Sequence, residues 1–139
     1  MAPIQTIAVG FDGSPDAQAA VRWALQLTNQ LGAKLVFVHA AGLLEHIEDP
    51  QAVLDLEETV WVLTSDAGLD PTRARWHVSD GDPCSVLLRA ADPPISADLV
   101  VVGSRGQGAR VGLPLGSTSH ELAEHATIPI VIVPRGNAR

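Results

Sequence analysis

Five glycines stand close together in residues 101–126, VVGSRGQGARVGLPLGSTSHELAEHA. Glycine is costly to order, because it loses more backbone freedom on folding than any other residue. Without a Cβ, however, it lets backbone N–H groups approach an anion closely. The hydroxyls of Ser117, Thr118 and Ser119 follow, at a predicted helix start where unpaired N–H groups and the positive end of the helix dipole also favour an anion. This combination of residues suits the binding of a phosphate group.

The spacing excludes two familiar phosphate-binding loops. The chain has no Gly-Lys-Ser/Thr sequence, so the stretch is not a Walker A loop. The third glycine of the dinucleotide fingerprint would fall at Val111. Arg105 and Arg110 supply the local positive charge. The alternative interpretation is a flexible turn capped by Ser117, and the residues alone leave both interpretations open.

Short apolar segments alternate with amphipathic helical patterns along the whole chain. The predicted strands are residues 6–11, 34–40, 73–78, 99–102 and 128–133. The predicted helices are residues 16–31, 51–67, 84–91 and 117–126. This alternation predicts one α/β domain over residues 1–139, with an open parallel sheet covered by helices on both faces. Ligands of such sheets bind beyond the carboxyl ends of the strands, where the glycine stretch begins.

Composition limits the partners that we expect. The 139 residues carry a net charge of −7 with nine Lys and Arg residues, which argues against nucleic-acid binding. No apolar run approaches the roughly 20 residues that a membrane-spanning helix needs. We find no secretory signal at the N-terminus, and the single cysteine, Cys84, cannot form an intrachain disulfide. We therefore expect a cytoplasmic protein without a membrane partner, and Cys84 as a small core residue.

The glycines also carry a family resemblance. Gly103, Gly106, Gly116 and Ser117 are spaced as Gly-x2-Gly-x9-Gly-Ser, which resembles the ATP-binding signature of the universal stress protein family. The segments IAVGFDGSPDAQAAVRWAL, ADLVVVGSRG and GSTSHELAEHATIPIVIVP are similar to other parts of that family, so the resemblance covers essentially the whole chain. It implies a Rossmann-like, five-stranded parallel sheet of order 3-2-1-4-5. Because every signature glycine is present, it also implies the ATP-binding subgroup.

The resemblance implies a nucleotide site at the carboxyl edge of the sheet. Asp12 would lie by the ribose and phosphates, and the backbone around Ala40 would meet the adenine. The end of the fourth strand would line the base and ribose pocket, while the glycines and hydroxyls would hold the phosphates. Arg105 would pair with a phosphate or face solvent. The implied site residues are Gly10, Phe11, Asp12, Ala40, Val102, Gly103, Arg105, Gly106, Gly116, Ser117, Thr118 and Ser119.

The expected cofactor is ATP, with Mg²⁺ as an accompanying ion. The sequence shows no cluster of metal ligands, so Mg²⁺ would be held mainly by phosphate oxygens and Asp12. The resemblance further implies a homodimer through the last strand, and Pro129 and Pro134 would limit the paired length to Ile130–Val133.

The expected function is that of an ATP-binding stress-response regulator that acts as a nucleotide-dependent switch. One alternative is an enzyme with slow ATP hydrolysis or autophosphorylation on Ser117, Thr118 or Ser119. The chain offers no evident general base or phosphate-directed lysine, which weighs against efficient turnover. The other alternative is an interaction module that binds AMP, a cyclic nucleotide or no nucleotide.

Overall fold

Strands and helices alternate in the computed structural model, which describes residues 3–42, 49–105 and 115–135. The strands are β1 (Thr6–Gly10), β2 (Lys34–Ala40), β3 (Ala74–Ser79), β4 (Leu99–Gly103) and β5 (Ile130–Val133). The helices are α1 (Pro15–Leu31), α2 (Pro50–Asp66), α3 (Pro83–Leu88) and α4 (Ser117–His125). Short 3-10 turns at Pro71–Arg73 and Arg89–Ala91 follow α2 and α3. Among the described residues, no helix is long and apolar enough to cross a membrane.

The five strands form one parallel sheet of order β3-β2-β1-β4-β5. This order confirms the predicted fold class. Strand order reverses between β2 and β4, on the two sides of β1, and such a switch point opens a crevice at the carboxyl ends of the strands. The loops that follow β1, β2 and β4 therefore meet at one edge of the sheet.

Helices α1, α2 and α3 each begin where a short polar side chain precedes proline. Ser14 caps α1 by accepting a hydrogen bond from the backbone N–H of Ala17 at 3.2 Å, and Pro15 is the first helical residue. Asp82 caps α3 in the same way by accepting from the N–H of Ser85 at 3.0 Å. That hydrogen bond lowers the pKa of the Asp82 carboxyl from its ordinary value. Proline suits this position because the N–H that it lacks would have no partner inside the helix.

Element ends differ from the sequence predictions by a few residues. The last strand begins at Ile130 rather than at residue 128, so Pro129 precedes the strand and contributes its carbonyl to the N–H of Val100 at 3.1 Å. The helix predicted over 84–91 ends at Leu88 and tightens into a 3-10 turn. The third strand runs one residue later than predicted, and the first ends at Gly10, one residue earlier.

Two apolar layers enclose the sheet. In β1, Ile7 and Val9 point into a cluster with α1 and α2, whereas Ala8 points into a second cluster with α3 and α4. All three residues are completely buried. Burial on both faces explains why the central strands are almost continuously apolar in sequence.

The end of β4 lies directly against the first turn of α1. A Cβ atom on Gly103 would lie 2.7 Å from both the carbonyl carbon and the carbonyl oxygen of Asp16. At the end of β1, a Cβ on Gly10 would lie 3.0 Å from Cδ1 of Leu87, the far end of a flexible side chain. The first contact is with rigid backbone, so only glycine permits this approach between β4 and α1.

We predict that Gly103→Ala lowers the free energy of unfolding by about 2–3 kcal/mol, because the added methyl group forces the end of β4 away from α1. Gly10→Ala is the matched control. Its methyl group can be accommodated by movement of Leu87, so we expect a loss of about 1 kcal/mol or less. Urea denaturation of the two variants and the wild type measures the difference, and equal losses would contradict the argument.

Candidate functional site

Hydrogen bonds to residues of β2 fix the loop after β1. The N–H of Phe11 donates to the carbonyl of Val38 at 2.9 Å, and the carbonyl of Phe11 accepts from Nδ1 of His39 at 2.9 Å. The Phe11 side chain is only 3% exposed and belongs to the core. The Phe11 side chain is therefore not accessible to a ligand, which could contact only the backbone of this residue. Phe11 is nevertheless one of the site residues that the resemblance implies.

Asp12 follows at the mouth of this loop and is half-buried. Its Oδ1 accepts a hydrogen bond from the N–H of Ser14 at 2.9 Å, across Gly13, whose φ of +86° favours glycine. This turn places Asp12 next to the capped start of α1. The turn therefore holds the Asp12 carboxylate at the carboxyl edge of the sheet, which is the edge predicted for the nucleotide site.

The loops after β2 and β3 meet beside this point. The N–H of Ala41 donates to the carbonyl of Ser79 at 2.9 Å, and Gly42 and Gly81 form an isolated bridge. Ala40, the residue predicted to meet adenine, ends β2 and is partly exposed. This bridge joins the loops after β2 and β3, so it lies on the opposite side of β1 from the glycine stretch.

The backbone of Ser104 joins the two ends of the glycine stretch. Its carbonyl accepts a hydrogen bond from the N–H of Gly116 at 2.7 Å and another from the hydroxyl of Ser119 at 3.0 Å. The start of α4 is thereby tied to the end of β4. We call this arrangement the Ser104 clamp.

The three hydroxyls that open α4 differ in their surroundings. Ser117 is exposed and Thr118 is half-buried. Ser119 is only 2% exposed, and its hydroxyl also lies 3.4 Å from the carbonyl of Gly116. Ser119 therefore serves the Ser104 clamp in this structure, while Ser117 faces solvent. Gly106, which the resemblance assigns to the phosphates, lies outside the described residues.

A cleft of about 480 Å³ opens beside the Ser104 clamp, beyond the ends of β4 and β5. Among the described residues that line it, Arg105 is the one that the resemblance includes in the site. The lining residues are Asp16, Ser104, Arg105, Leu115, Ile132, Pro134 and Arg135.

An ion pair forms one wall of the cleft. Nε of Arg135 donates to Oδ1 of Asp16 at 2.6 Å, and the Ser104 hydroxyl donates to Oδ2 of the same carboxylate at 3.4 Å. The Asp16 side chain is 2% exposed and that of Arg135 is 65% exposed. The sequence alone does not predict this group, because Ser104 and Arg135 lie 88 and 119 residues from Asp16 in the chain.

Two further kinds of site, a metal site and a reactive cysteine, can be assessed from the described residues. Within residues 3–42, 49–105 and 115–135, no group of three or more His, Cys, Asp or Glu side chains could hold a metal ion. Cys84 is buried at the start of α3. Burial, followed by the negative charge of Glu121, raises the pKa of its thiol. The burial of Cys84 within an apolar cluster confirms that it is a core residue. The raised pKa disfavours the thiolate, which is the reactive form of cysteine.

The sheet order and the cleft at its carboxyl edge define a Rossmann-like α/β domain. A model of the universal stress protein family matches residues 3–134, and the chain belongs to that family.

Individual relatives agree with this assignment. Universal stress protein Rv2005c of Mycobacterium tuberculosis is 31% identical over 137 residues, which cover 91% of this chain and 44% of that relative. The chain thus spans less than half the length of this relative. Universal stress protein Rv1636 of the same species is 29% identical over 147 residues, covering 96% of this chain and 98% of that relative. A crystal structure of a universal stress protein in complex with cAMP is 27% identical, with a TM-score of 0.77, and the match covers 97% of this chain and 100% of that one.

We predict that Ser119→Ala lowers the free energy of unfolding by about 1 kcal/mol, because a buried hydrogen bond of the Ser104 clamp is lost. Ser65→Ala, on the exposed surface of α2, is the control for the gain in helix propensity that both changes share. Thermal or urea unfolding compares the two. A Ser119→Ala variant as stable as the control would show that the clamp depends on Gly116 alone.

Proposed function

We propose that the chain binds an adenine nucleotide at the carboxyl edge of its sheet, that this nucleotide is ATP, and that its occupancy acts as a regulatory switch in a stress response. One observation carries the proposal. The Ser104 clamp brings the N-terminus of α4, with the exposed Ser117, next to a cleft that Arg105 lines. Hydroxyls, a helix N-terminus and arginine are the groups that proteins use to bind phosphate.

The charge of the cleft differs from that of the whole chain. The chain carries a net charge of −7, yet the cleft is lined by two arginines and one carboxylate. Two arginines against one carboxylate leave an excess of positive charge in the cleft to act on a ligand. A small anion therefore has a favourable position here even though the molecule as a whole is acidic.

The spacing of the strands fits a nucleotide that lies across their ends. β1 separates β2 from β4, and neighbouring strands lie about 4.8 Å apart, so the ends of β2 and β4 are separated by about 10 Å. Ala40 at one end would meet the base, Asp12 in the middle would meet the ribose, and Gly103 and Ser117 at the other would face the phosphates. The universal stress protein that binds cAMP, at 27% identity, supports an adenine nucleotide as the ligand class.

Mg²⁺ would accompany ATP rather than bind to the protein alone. Among the described residues, Asp12 lies at the carboxyl edge of the sheet, and no group of three or more His, Cys, Asp or Glu side chains could hold a metal ion by itself. Mg²⁺ is commonly held by one or two carboxylates together with substrate phosphates. The donors that are present fit that arrangement.

We predict that Gly116→Val abolishes ATP binding, because a branched side chain would occupy the space where α4 begins and where the phosphates would approach. The φ of Gly116 is −71°, which valine can adopt, so we expect the variant to fold. Isothermal titration calorimetry with Mg-ATP measures the affinity. Ala123→Val, on the exposed side of the same helix, is the control and should bind as the wild type does.

Two results would contradict the proposed function. A folded Gly116→Val variant with wild-type ATP affinity would exclude this site. Wild-type protein that shows no binding of ATP, AMP or cAMP, and no adenine nucleotide released on denaturation after purification, would exclude nucleotide binding altogether. If the protein bound AMP or cAMP in preference to ATP, the proposed site would stand, but ATP would no longer be its proposed ligand.

We further propose a homodimer through β5. This strand lies at the edge of the sheet, and its four residues are half-buried. The carbonyls of Pro129 and Val133 point to β4, so the alternating backbone groups of Ile130 and Ile132 point to the open edge. An apolar edge whose backbone groups have no strand partner within the described residues is suited to pairing with a second chain.

We predict a dimer at micromolar concentration in native mass spectrometry, because a second copy could complete the hydrogen bonds of this short edge. Sedimentation at the same concentration provides an independent measurement. A monomer in both experiments would overturn the dimer proposal without affecting nucleotide binding.

A further inference from the structure

We infer that Arg135 recognises a phosphate group of the bound nucleotide and that buried Asp16 positions its guanidinium. The inference rests on the proposed nucleotide site and adds a residue outside the glycine-rich signature. Arg135 follows β5, lines the same cleft as Ser104 and Arg105, and is held by a hydrogen bond of 2.6 Å to Asp16.

The burial of Asp16 is the first argument. A carboxylate in the first turn of a helix is favoured by the helix dipole, but burying it is costly unless it is paired. Asp16 is almost completely buried, and both of its oxygens accept hydrogen bonds, from Arg135 and from Ser104. The carboxylate is therefore fixed, and it fixes the arginine in turn.

The guanidinium of Arg135 uses only one of its nitrogens to bind Asp16 among the described residues. Nε makes the hydrogen bond to Asp16, and the Arg135 side chain remains 65% exposed. Among the described residues, the two terminal amino groups of Arg135 have no hydrogen-bond acceptor. Those two groups form an edge that can bind two oxygens of one phosphate at once. Because Arg135 lines the cleft and its side chain is exposed, these groups are available to a ligand there.

The position of the pair relative to the rest of the site is the third argument. Asp16 is the residue whose carbonyl packs against Gly103, at the end of β4. Arg105 follows the same strand two residues later and lines the cleft together with Arg135. Two arginines on neighbouring strand ends could contact different oxygens of a phosphate chain. Recognition should therefore depend on phosphates and not on the base.

The test compares ATP with adenosine, which has the same base and ribose but no phosphate. Calorimetry at fixed salt is done on the wild type and on Arg135→Gln, whose amide can still donate to Asp16. We expect the ATP affinity to fall about tenfold or more, which corresponds to the loss of a charge-assisted hydrogen bond. The adenosine affinity should not change. Arg135→Lys keeps the charge and loses the fork, so its ATP affinity should be intermediate.

Arg75→Gln is the matched control, because Arg75 is exposed on β3 at the other edge of the sheet. It removes the same charge, and it should leave both affinities unchanged. Thermal unfolding checks that each variant is folded. If Arg135→Gln does not fold, Arg135→Lys decides the question, and a Lys variant with wild-type ATP affinity overturns the inference.

The outcomes separate this inference from the proposed function. A wild type that binds ATP, together with Arg135→Gln that binds it equally well, overturns only the role of Arg135. Equal losses for ATP and adenosine show that Arg135 is purely structural and also overturn it. A wild type that binds neither ligand overturns the proposed function and this inference together.

Discussion

The candidate site depends on one close contact, between the end of β4 and the first turn of α1. Gly103 approaches the backbone of Asp16 so closely that a Cβ atom would lie 2.7 Å from its carbonyl. This contact places the buried Asp16 carboxylate beside Ser104, the residue after Gly103, and within reach of Arg135. If β4 lay farther from α1, the carboxylate would lose these partners. A packing constraint on one glycine thus determines where the charges of the cleft lie.

The Ser104 clamp continues this arrangement on the other side. The side chain of Ser104 bonds to α1 through Asp16, while its carbonyl bonds to the start of α4 through Gly116 and Ser119. One residue therefore connects the beginnings of two helices to the end of a strand. Because the two bonds to the Ser104 carbonyl are only 2.7 and 3.0 Å long, the start of α4 is held in place before any ligand binds. Such preorganisation reduces the entropy that binding must overcome.

The alternation of strands and helices could be predicted from the residues because its signals are local, whereas the strand order is implied by the family resemblance. Apolar runs, proline after a capping side chain, and glycine at helix ends each act within a few residues, and together they define the alternation of strands and helices. The positions of Asp12, Ala40 and Gly103 at strand ends follow from the same signals. The pairing of Asp16 with Arg135 could not be predicted, since it joins residues 119 positions apart through tertiary contact. The family resemblance implies a phosphate-binding role for Ser119, and only the packed structure shows that its hydroxyl bonds to Ser104.

The edge strand β5 connects the two proposals made for this protein. Its outer backbone groups face the open edge proposed for dimerisation, and Arg135 follows its last residue by two positions. Ile132 of the same strand lines the cleft. A shift of β5 on pairing with a second copy would therefore move Arg135 relative to Asp16, and a phosphate bound to Arg135 would resist that shift. Because linkage is reciprocal, a coupling of this kind would make nucleotide affinity depend on dimerisation and dimerisation depend on nucleotide. The short, half-buried β5 is the element through which the two events would be coupled, since the ion pair joins its end to α1.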